Sequence, residues 1–165
     1  MQSKYVFREI TEEEIPLMFQ IIVARMKWMD AVGIKQWNVT KYDEVYPIEY
    51  YEEKRRQGEV YVLEDTHLGQ IVCVGVLKKE DDRWPDNPPA LYLHNFATKI
   101  GEKGVGKIYI RHAEALAKEQ NKIYFRLDSA DDNIPLAKYY ENQGYLPAGH
   151  CIDGMYTGIL RQKRL

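Results

Sequence analysis

A short basic segment, TKIGEKGVGKIYI from Thr98 to Ile110, carries the residues best suited to chemistry. Its glycines allow a tight turn and a close approach of the backbone to a ligand; they are Gly101, Gly104 and Gly106. A strand pattern precedes the segment and a helix pattern follows it, so unpaired N–H groups and a positive dipole end are expected there. A local charge of +3 comes from Lys99, Lys103, Lys107 and Arg111 against Glu102. The segment therefore predicts an anion site that suits phosphate.

Two phosphate-binding motifs compete for this segment. Gly101 to Lys107 fits the nucleotide-binding pattern G-x-x-x-x-G-K-[ST] up to the lysine, but Ile108 stands where a magnesium-binding hydroxyl belongs. The segment also comes late in the chain, and a parallel sheet with crossover helices does not fit comfortably in the remainder. The other interpretation is a loop that binds the pyrophosphate of acetyl-coenzyme A.

Two motifs carry a family resemblance. Gly101 to Gly106 resembles the loop Q/R-x-x-G-x-G/A of the GCN5-related N-acetyltransferase (GNAT) superfamily, with glycine at the first position. A second family motif, N-x-x-A-x-x-x-Y-x-x-x-G-F, is similar to the set Asn133, Leu136, Tyr140, Gly144 and Tyr145, with Leu for Ala and Tyr for Phe. Two imperfect motifs in the correct order are more specific than either alone.

The resemblance implies an α/β fold of the GNAT type in a single domain over residues 1–165. It implies a mixed, mostly antiparallel sheet of about seven strands flanked by about four helices, with a cleft where strands four and five splay apart. The implied function is the transfer of an acetyl group from acetyl-CoA to the primary amine of a small molecule, by direct attack on the thioester and without a metal. The alternative is a non-catalytic GNAT-fold module that binds an acyl-CoA as a sensor.

The resemblance also assigns roles in cofactor binding. Backbone amides from Glu102 to Lys107 would hold the pyrophosphate, and the backbone of the preceding strand would bind the pantetheine arm. Asn133 would contact coenzyme A, although it also suits the N-cap of a helix. A backbone amide near Asn95 or Phe96 would stabilise the developing oxyanion. The full cofactor-binding set is Phe96, Ala97, Thr98, Glu102, Lys103, Gly104, Val105, Gly106, Lys107 and Asn133.

Acetyl transfer needs an acid and a base. A tyrosine hydroxyl is protonated at neutral pH and can donate a proton to a departing thiolate, and Tyr140 occupies the family's position for that acid. An alkyl amine is almost wholly protonated at pH 7, so a group must accept its proton. Strand four offers no glutamate, which leaves His94 as the titratable candidate base. A Glu or Asp from the early helices, or a chain of waters, stays open as an alternative.

The acceptor substrate is expected against the first helices and their connecting loop. The stretch WMDAVGIKQWN resembles a bacterial GNAT subgroup, and this part of the chain holds several of the 13 tyrosines. Aromatic faces suit an apolar or a cationic acceptor. We expect Trp28, Trp37 and Tyr42 to bind substrate, with simple packing of the two tryptophans as the alternative.

Hydrophobic periodicity predicts the elements that hold these residues, in the order β-α-α-β-β-β-α-β-α-β-β. Thr11 and Glu14 form a capping-box pattern before a helix that Gly33 ends. The stretch from Gly33 to Pro47 reads as a loop, and KEDDRWPDNPP, from Lys79 to Pro89, reads as a solvated turn.

Composition narrows the function classes further. A net charge of −2 argues against a general nucleic-acid binder. The sequence has two cysteines, Cys73 and Cys151, and this count argues against a disulfide scaffold. Both are expected to pack in strands. No apolar run predicts a membrane span or a secretory signal, so a cytoplasmic location without membrane partners is expected. A homodimer is a further expectation.

Overall fold

The computed structural model describes residues 3–165. Its strands and helices follow the order expected from the sequence, with one addition, a short helix in the stretch expected to be a loop. The strands are β1 (Tyr5–Glu9), β2 (Val60–Asp65), β3 (Gln70–Lys78), β4 (Ala90–Thr98), β5 (Tyr124–Ala130), β6 (Leu146–Asp153) and β7 (Tyr156–Arg164). The helices are α1 (Ile15–Val32), α2 (Tyr42–Val45), α3 (Ile48–Arg56), α4 (Val105–Glu119) and α5 (Ile134–Glu141).

The seven strands form one mixed sheet in the order β1-β2-β3-β4-β5-β7-β6. Strands β1 and β2 pair antiparallel, as do β2 and β3, β5 and β7, and β6 and β7. Strands β4 and β5 pair in parallel at Ala90–Tyr124, Leu91–Phe125 and Tyr92–Arg126, and α4 is the crossover between them. The expected mixed, mostly antiparallel sheet of about seven strands is therefore confirmed.

The chain divides into two compact units, and each is described separately. The first comprises the chain up to Leu77 together with Asn95–His112. Its core packs α1 and α3 against β2 and β3, through buried side chains that include Ile15, Met18, Ile22, Tyr51, Val62 and Val74. The β-branched residues on these strands suit a pleated surface that is covered by helices.

Local signals set the ends of α1. The Thr11 N–H donates to the Glu14 carboxylate at 2.9 Å, which forms the expected capping box around a 3-10 turn, Glu12–Glu14. Pro16 follows in the first turn of α1, where its missing N–H costs no hydrogen bond. Gly33 ends the helix at φ 79°, a left-handed conformation that glycine adopts without a steric penalty.

The second unit comprises Lys78–His94 and Ala113–Leu165. One of its ladders joins β5 to β7, from Tyr124–Arg164 to Ala130–Gly158. A separate apolar cluster of Trp84, Ala90, Tyr92, Cys151 and Leu160 packs beside this ladder. A buried cation, Arg126, lies over the Trp84 ring at 4.0 Å and pairs with Asp86 at 2.8 Å.

Two sequence expectations need correction. The stretch from Gly33 to Pro47 is not wholly a loop, because Tyr42–Val45 forms α2 and brings the helices within residues 3–165 to five. The helix α2 has only four residues, too few to show a periodicity. The stretch from Lys79 to Pro89 is only partly solvated, since Trp84 is 7% exposed. No helix within residues 3–165 combines the length and the apolar character that crossing a membrane requires.

Candidate active site

The connection from β4 to α4, in the first unit, has the backbone geometry of an anion-binding loop. Gly101 and Gly104 adopt φ angles of 89° and 79°, which side chains with a Cβ rarely adopt. A Cβ placed at either glycine would meet no atom within 4 Å, so the loop leaves open space beside its backbone. The helix α4 then begins at Val105, and its first turn contains no acid. The N–H groups of that turn, together with the positive end of the helix dipole, would suit an anion.

Arg25 fixes the end of β4 where this loop starts. Its guanidinium donates to the carbonyl oxygen and to the hydroxyl of Thr98, each at 2.8 Å. Burial lowers the pKa of Arg25, and the nearby Cys73 opposes that shift. The guanidinium also lies 4.7 Å from the ring centre of Trp28. Arg25 therefore holds the strand end by two hydrogen bonds, and it covers one of the tryptophans expected to bind substrate.

Asn95 interrupts β4 with a left-handed backbone at φ 52°. It is 5% exposed, and its amide donates to the Tyr42 hydroxyl at 2.6 Å. The Tyr50 hydroxyl donates to the other end of the same amide at 3.0 Å. A non-glycine residue in this region is strained and persists only when its surroundings hold it. Two tyrosines from α2 and α3 do so here, just before the strand residues expected to bind cofactor.

Two of the three expected substrate-binding aromatics stack on each other. Trp37 and Tyr42 lie 4.3 Å apart between ring centres at an angle of 11°. Tyr46 and Tyr50 continue the column at 4.8 Å per step. Burial raises the pKa of Tyr42 well above its ordinary value, so its hydroxyl stays neutral while its oxygen accepts from Asn95. The column connects α2 to α3.

A polar network in the second unit surrounds His94. Its Nε2 lies 2.6 Å from Oδ2 of Asp81, and the two side chains are 10% and 4% exposed. Asp128 on β5 approaches the same pair, with one donor atom of each of the three residues within 4.8 Å of the others. Arg83 pairs with Asp128 at 3.2 Å and the Tyr156 hydroxyl donates to it at 2.6 Å. These atoms are close enough to share a metal, but Arg83 already supplies the compensating positive charge.

The second motif also lies in this unit. The Asn133 side chain accepts from the Leu136 N–H at 3.1 Å, which makes it the N-cap of α5. Tyr140 is 5% exposed and its ring contacts those of Tyr139 and Tyr145 at 5.3 and 6.1 Å. Tyr145 replaces the family's phenylalanine, and its hydroxyl donates to Glu114 at 2.5 Å. Burial and this carboxylate raise the pKa of Tyr145, so the additional hydroxyl is protonated and satisfied.

A comparison with known protein families identifies the family to which this chain belongs. The profile of the Acetyltransferase (GNAT) family matches residues 24–145, most of the chain. The chain belongs to the GNAT acetyltransferase family.

Solved GNAT structures share the fold. A GNAT acetyltransferase from Listeria monocytogenes is 22% identical to this chain and superposes with a TM-score of 0.81. The alignment covers 98% of this chain and 95% of the Listeria chain. The paia N-acetyltransferase from Thermoplasma acidophilum, in complex with coenzyme A, is 16% identical to this chain and superposes with a TM-score of 0.76. The alignment covers 99% of this chain and 100% of the Thermoplasma chain. At these identities the likeness shows the fold alone. The search of curated proteins found no match.

The GNAT site residues expected from the sequence fall in both units. The first unit holds Trp28, Trp37, Tyr42, Phe96, Ala97, Thr98 and Glu102 to Lys107, and the second holds His94, Asn133 and Tyr140. Within the first, Trp37 meets Tyr42 in the column, while Phe96 packs on Tyr109 at 5.4 Å. Ala97 is buried at 4% exposure.

Three side chains that contact expected site residues are not raised by the sequence: Asp81 contacts His94, Arg25 contacts Thr98, and Asn95 contacts Tyr42. Asp81 lies in a charged run that composition assigns to solvent, and Arg25 lies on an amphipathic helix far from Thr98 in sequence. Asn95 was considered only for its backbone amide, although a positive φ inside a strand depends on tertiary contacts. A charged or amide side chain inside a strand or a turn is the only signal that could have raised them.

Proposed function

We propose that this GNAT protein is an acetyl-CoA-dependent N-acetyltransferase that acetylates the primary amine of a small molecule. The observation that carries the proposal is the β4–α4 loop, in which Gly101 and Gly104 are left-handed and border open space before an acid-free helix start. That geometry fits a pyrophosphate, since backbone N–H groups and a helix dipole attract phosphate and no side chain blocks them.

Acetyl-CoA supplies the acetyl group as a thioester. The backbone amides from Glu102 to Lys107 would bind its pyrophosphate, and the backbone of Phe96, Ala97 and Thr98 would bind the pantetheine arm. Asn133, which already caps α5, would contact coenzyme A. The hydrogen bonds from Arg25 hold the Thr98 end of this strand in place.

Three chain groups would serve the reaction itself. The left-handed backbone at Asn95 would direct the amide of Asn95 or Phe96 toward the developing oxyanion, a role worth a factor of about 10² to 10³ in rate per donor. Tyr140 donates a proton to the leaving thiolate, and His94 accepts one from the amine. Trp28, Trp37 and Tyr42 would contribute to the acceptor side.

The acceptor is proposed as a small cationic or apolar amine, because the column of Trp37 and Tyr42 offers aromatic edges. We further propose a bacterial-type enzyme that acts in the cytoplasm, without nucleic-acid, membrane or metal partners, and as a homodimer. Analytical ultracentrifugation tests the last point through the sedimentation coefficient.

Calorimetric titration with acetyl-CoA tests the cofactor proposal first, and no binding at millimolar concentrations would refute it. A screen of amines, polyamines and peptides with free-thiol detection then tests catalysis. Thiol release with any acceptor excludes the sensor-only alternative, and binding without release from any acceptor favours it.

The variant Tyr140→Phe tests the acid. We expect kcat to fall about 100-fold with an unchanged acetyl-CoA Kd, because only the proton donor is removed. Tyr139→Phe is the matched control, since it removes the same hydroxyl from the neighbouring residue of α5. Equal kcat values for the two variants would remove Tyr140 from the mechanism.

A further inference from the structure

We infer that Asp81 is a positioning residue that fixes the protonation of His94, so that Nδ1 of His94 accepts the proton of the acceptor amine. This inference rests on the proposed function, and it adds a residue that the family motifs do not contain. The observation behind it is the contact of 2.6 Å between Asp81 Oδ2 and His94 Nε2, in which the Asp81 side chain is 4% exposed and the His94 side chain keeps 10% of its surface exposed.

The chain holds Asp81 in place by its own turn. The backbone N–H of Arg83 donates to Asp81 Oδ1 at 3.0 Å, and the N–H of Trp84 donates to the Asp81 carbonyl at 3.2 Å. One carboxylate oxygen is therefore committed to the turn and the other to His94. This division of the two oxygens fixes the direction of the carboxylate, as the orienting acid of a proton-transfer pair requires.

Asp81 is ionised in this setting. Burial alone would raise its pKa, but the hydrogen bond and charge of His94, the Arg83 N–H and the charge of Lys78 outweigh burial and lower it. An ionised carboxylate only accepts hydrogen bonds, so Nε2 of His94 carries the proton they share. In the neutral imidazole the lone pair then lies on Nδ1.

Asp81 is the carboxylate that acts on His94, because the other nearby carboxylate, Asp128, is engaged by different partners. Asp128 comes close, but it accepts from Arg83 and from the Tyr156 hydroxyl at 2.6 Å, and Arg83 also pairs with Asp153 at 2.8 Å. Burial and Asp128 raise the pKa of the Cys151 thiol to about 11, which keeps it neutral. Charged and titratable groups near the pair include Lys78, Arg83, Asp128 and Cys151. Asp153 contacts Arg83 and Tyr156 contacts Asp128.

The proton transfer balances as follows. An N–H bond of the acceptor ammonium breaks, its electron pair stays on nitrogen, and a new N–H bond forms at His94 Nδ1. The resulting imidazolium keeps its Nε2–H bond to Asp81, whose negative charge stabilises it. The imidazolium then releases its Nδ1 proton to solvent, which restores the starting state.

The test compares Asp81→Asn and Asp81→Glu with Asp82→Asn, a matched control at the exposed neighbouring position. For Asp81→Asn we expect kcat to fall about 10- to 100-fold with little change in acetyl-CoA Kd. The acidic limb of the kcat/KM profile should move to lower pH, because the imidazolium loses its anion. Asp81→Glu should retain the position of that limb and recover part of the rate.

A measurement without turnover accompanies the kinetics. Two-bond ¹H–¹⁵N spectra of the imidazoles report the tautomer and titration of each of the four histidines, and His94→Gln assigns the His94 signals. We expect the Nε2–H form in the unsubstituted protein and a lower titration midpoint in Asp81→Asn. This measurement needs only folded protein, and if Asp81→Asn does not fold, an Nδ1–H form of His94 in the unsubstituted protein would itself overturn the inference.

The inference and the proposed function fail separately. An unchanged His94 midpoint and pH profile in Asp81→Asn would overturn the inference even if acetyl-CoA binds and the enzyme turns over. A rate loss in Asp81→Asn with an unmoved profile, and no recovery in Asp81→Glu, would show a merely structural role and overturn it as well. Failure of the unsubstituted protein to bind acetyl-CoA would refute the proposed function and the catalytic part of the inference, while the spectra still decide the pairing.

Discussion

Replacing Asn95 should separate the cost of its hydrogen bonds from the cost of its backbone. The Asn95 amide makes two hydrogen bonds, at 2.6 and 3.0 Å, and its φ of 52° disfavours any residue with a Cβ and no local polar group. Each bond is worth about 1 kcal/mol net, and a left-handed alanine costs about 1 kcal/mol more than asparagine. We therefore expect Asn95→Ala to lower the free energy of unfolding by about 3 kcal/mol, and Asn95→Gly by about 2 kcal/mol, since glycine tolerates the φ.

The same two variants should affect catalysis differently from stability. Both release Tyr42 and Tyr50 from Asn95, so the backbone at Phe96 is no longer held and its amide loses preorganisation. We expect kcat to fall at least about tenfold in both, a fraction of the effect of removing an oxyanion donor outright. The KM for acetyl-CoA should change less, because the β4–α4 loop is untouched.

Urea unfolding followed by circular dichroism measures the first quantity, and thiol release under saturating substrate measures the second. Asn87→Ala, at an exposed position, is the control and should stay within about 0.5 kcal/mol. A loss below about 1 kcal/mol in Asn95→Ala, with unchanged kcat, would refute the claim that the two tyrosines hold a strained strand for function.

Two further predictions concern the first unit. The hydrogen bond from Arg8 lowers the pKa of Glu14 from 4.5 to about 2 against the effect of burial, so its contribution to stability is full above pH 4.5 and is lost as the pH falls toward 2. Glu14→Gln should therefore cost about 1 kcal/mol at pH 7, with the difference from the unsubstituted protein shrinking over that window in urea titrations; a constant difference would contradict it. Arg25→Gln should weaken acetyl-CoA binding about tenfold in calorimetry, because Thr98 loses both hydrogen bonds. The Kd of Arg25→Lys should lie between those of Arg25→Gln and the unsubstituted protein. Equal Kd values in all three proteins would contradict the role of Arg25.

The sequence predicts most of the fold because local signals set most element ends. The Thr11–Glu14 box, Gly33, Asn133 and the crossover helix α4 all lie where periodicity and capping place them. The short helix α2 is the exception. Its four residues are held by stacking of Tyr42 on Trp37, a contact between residues that no periodicity links.

The candidate site also contains one part that local sequence signals predict and one part that depends on tertiary contacts. The proposed cofactor side depends on backbone groups, and backbone geometry at φ above zero favours glycine, so Gly101 and Gly104 indicate it directly in the sequence. The strain at Asn95 has no such marker, because asparagine tolerates the left-handed region and reads as an ordinary strand residue.

The proton-accepting side depends instead on side chains that only the folded chain brings together. Asp81 follows β3 in a charged run, His94 lies within β4 and Asp128 lies within β5, so no spacing connects them. Burial is what gives Asp81 its effect on His94, since an exposed carboxylate at the same distance would be screened by water. A motif can therefore indicate the proposed coenzyme A site. The residues proposed to act on the acceptor amine, His94 and Asp81, depend instead on the turn after β3, which the family motifs do not describe.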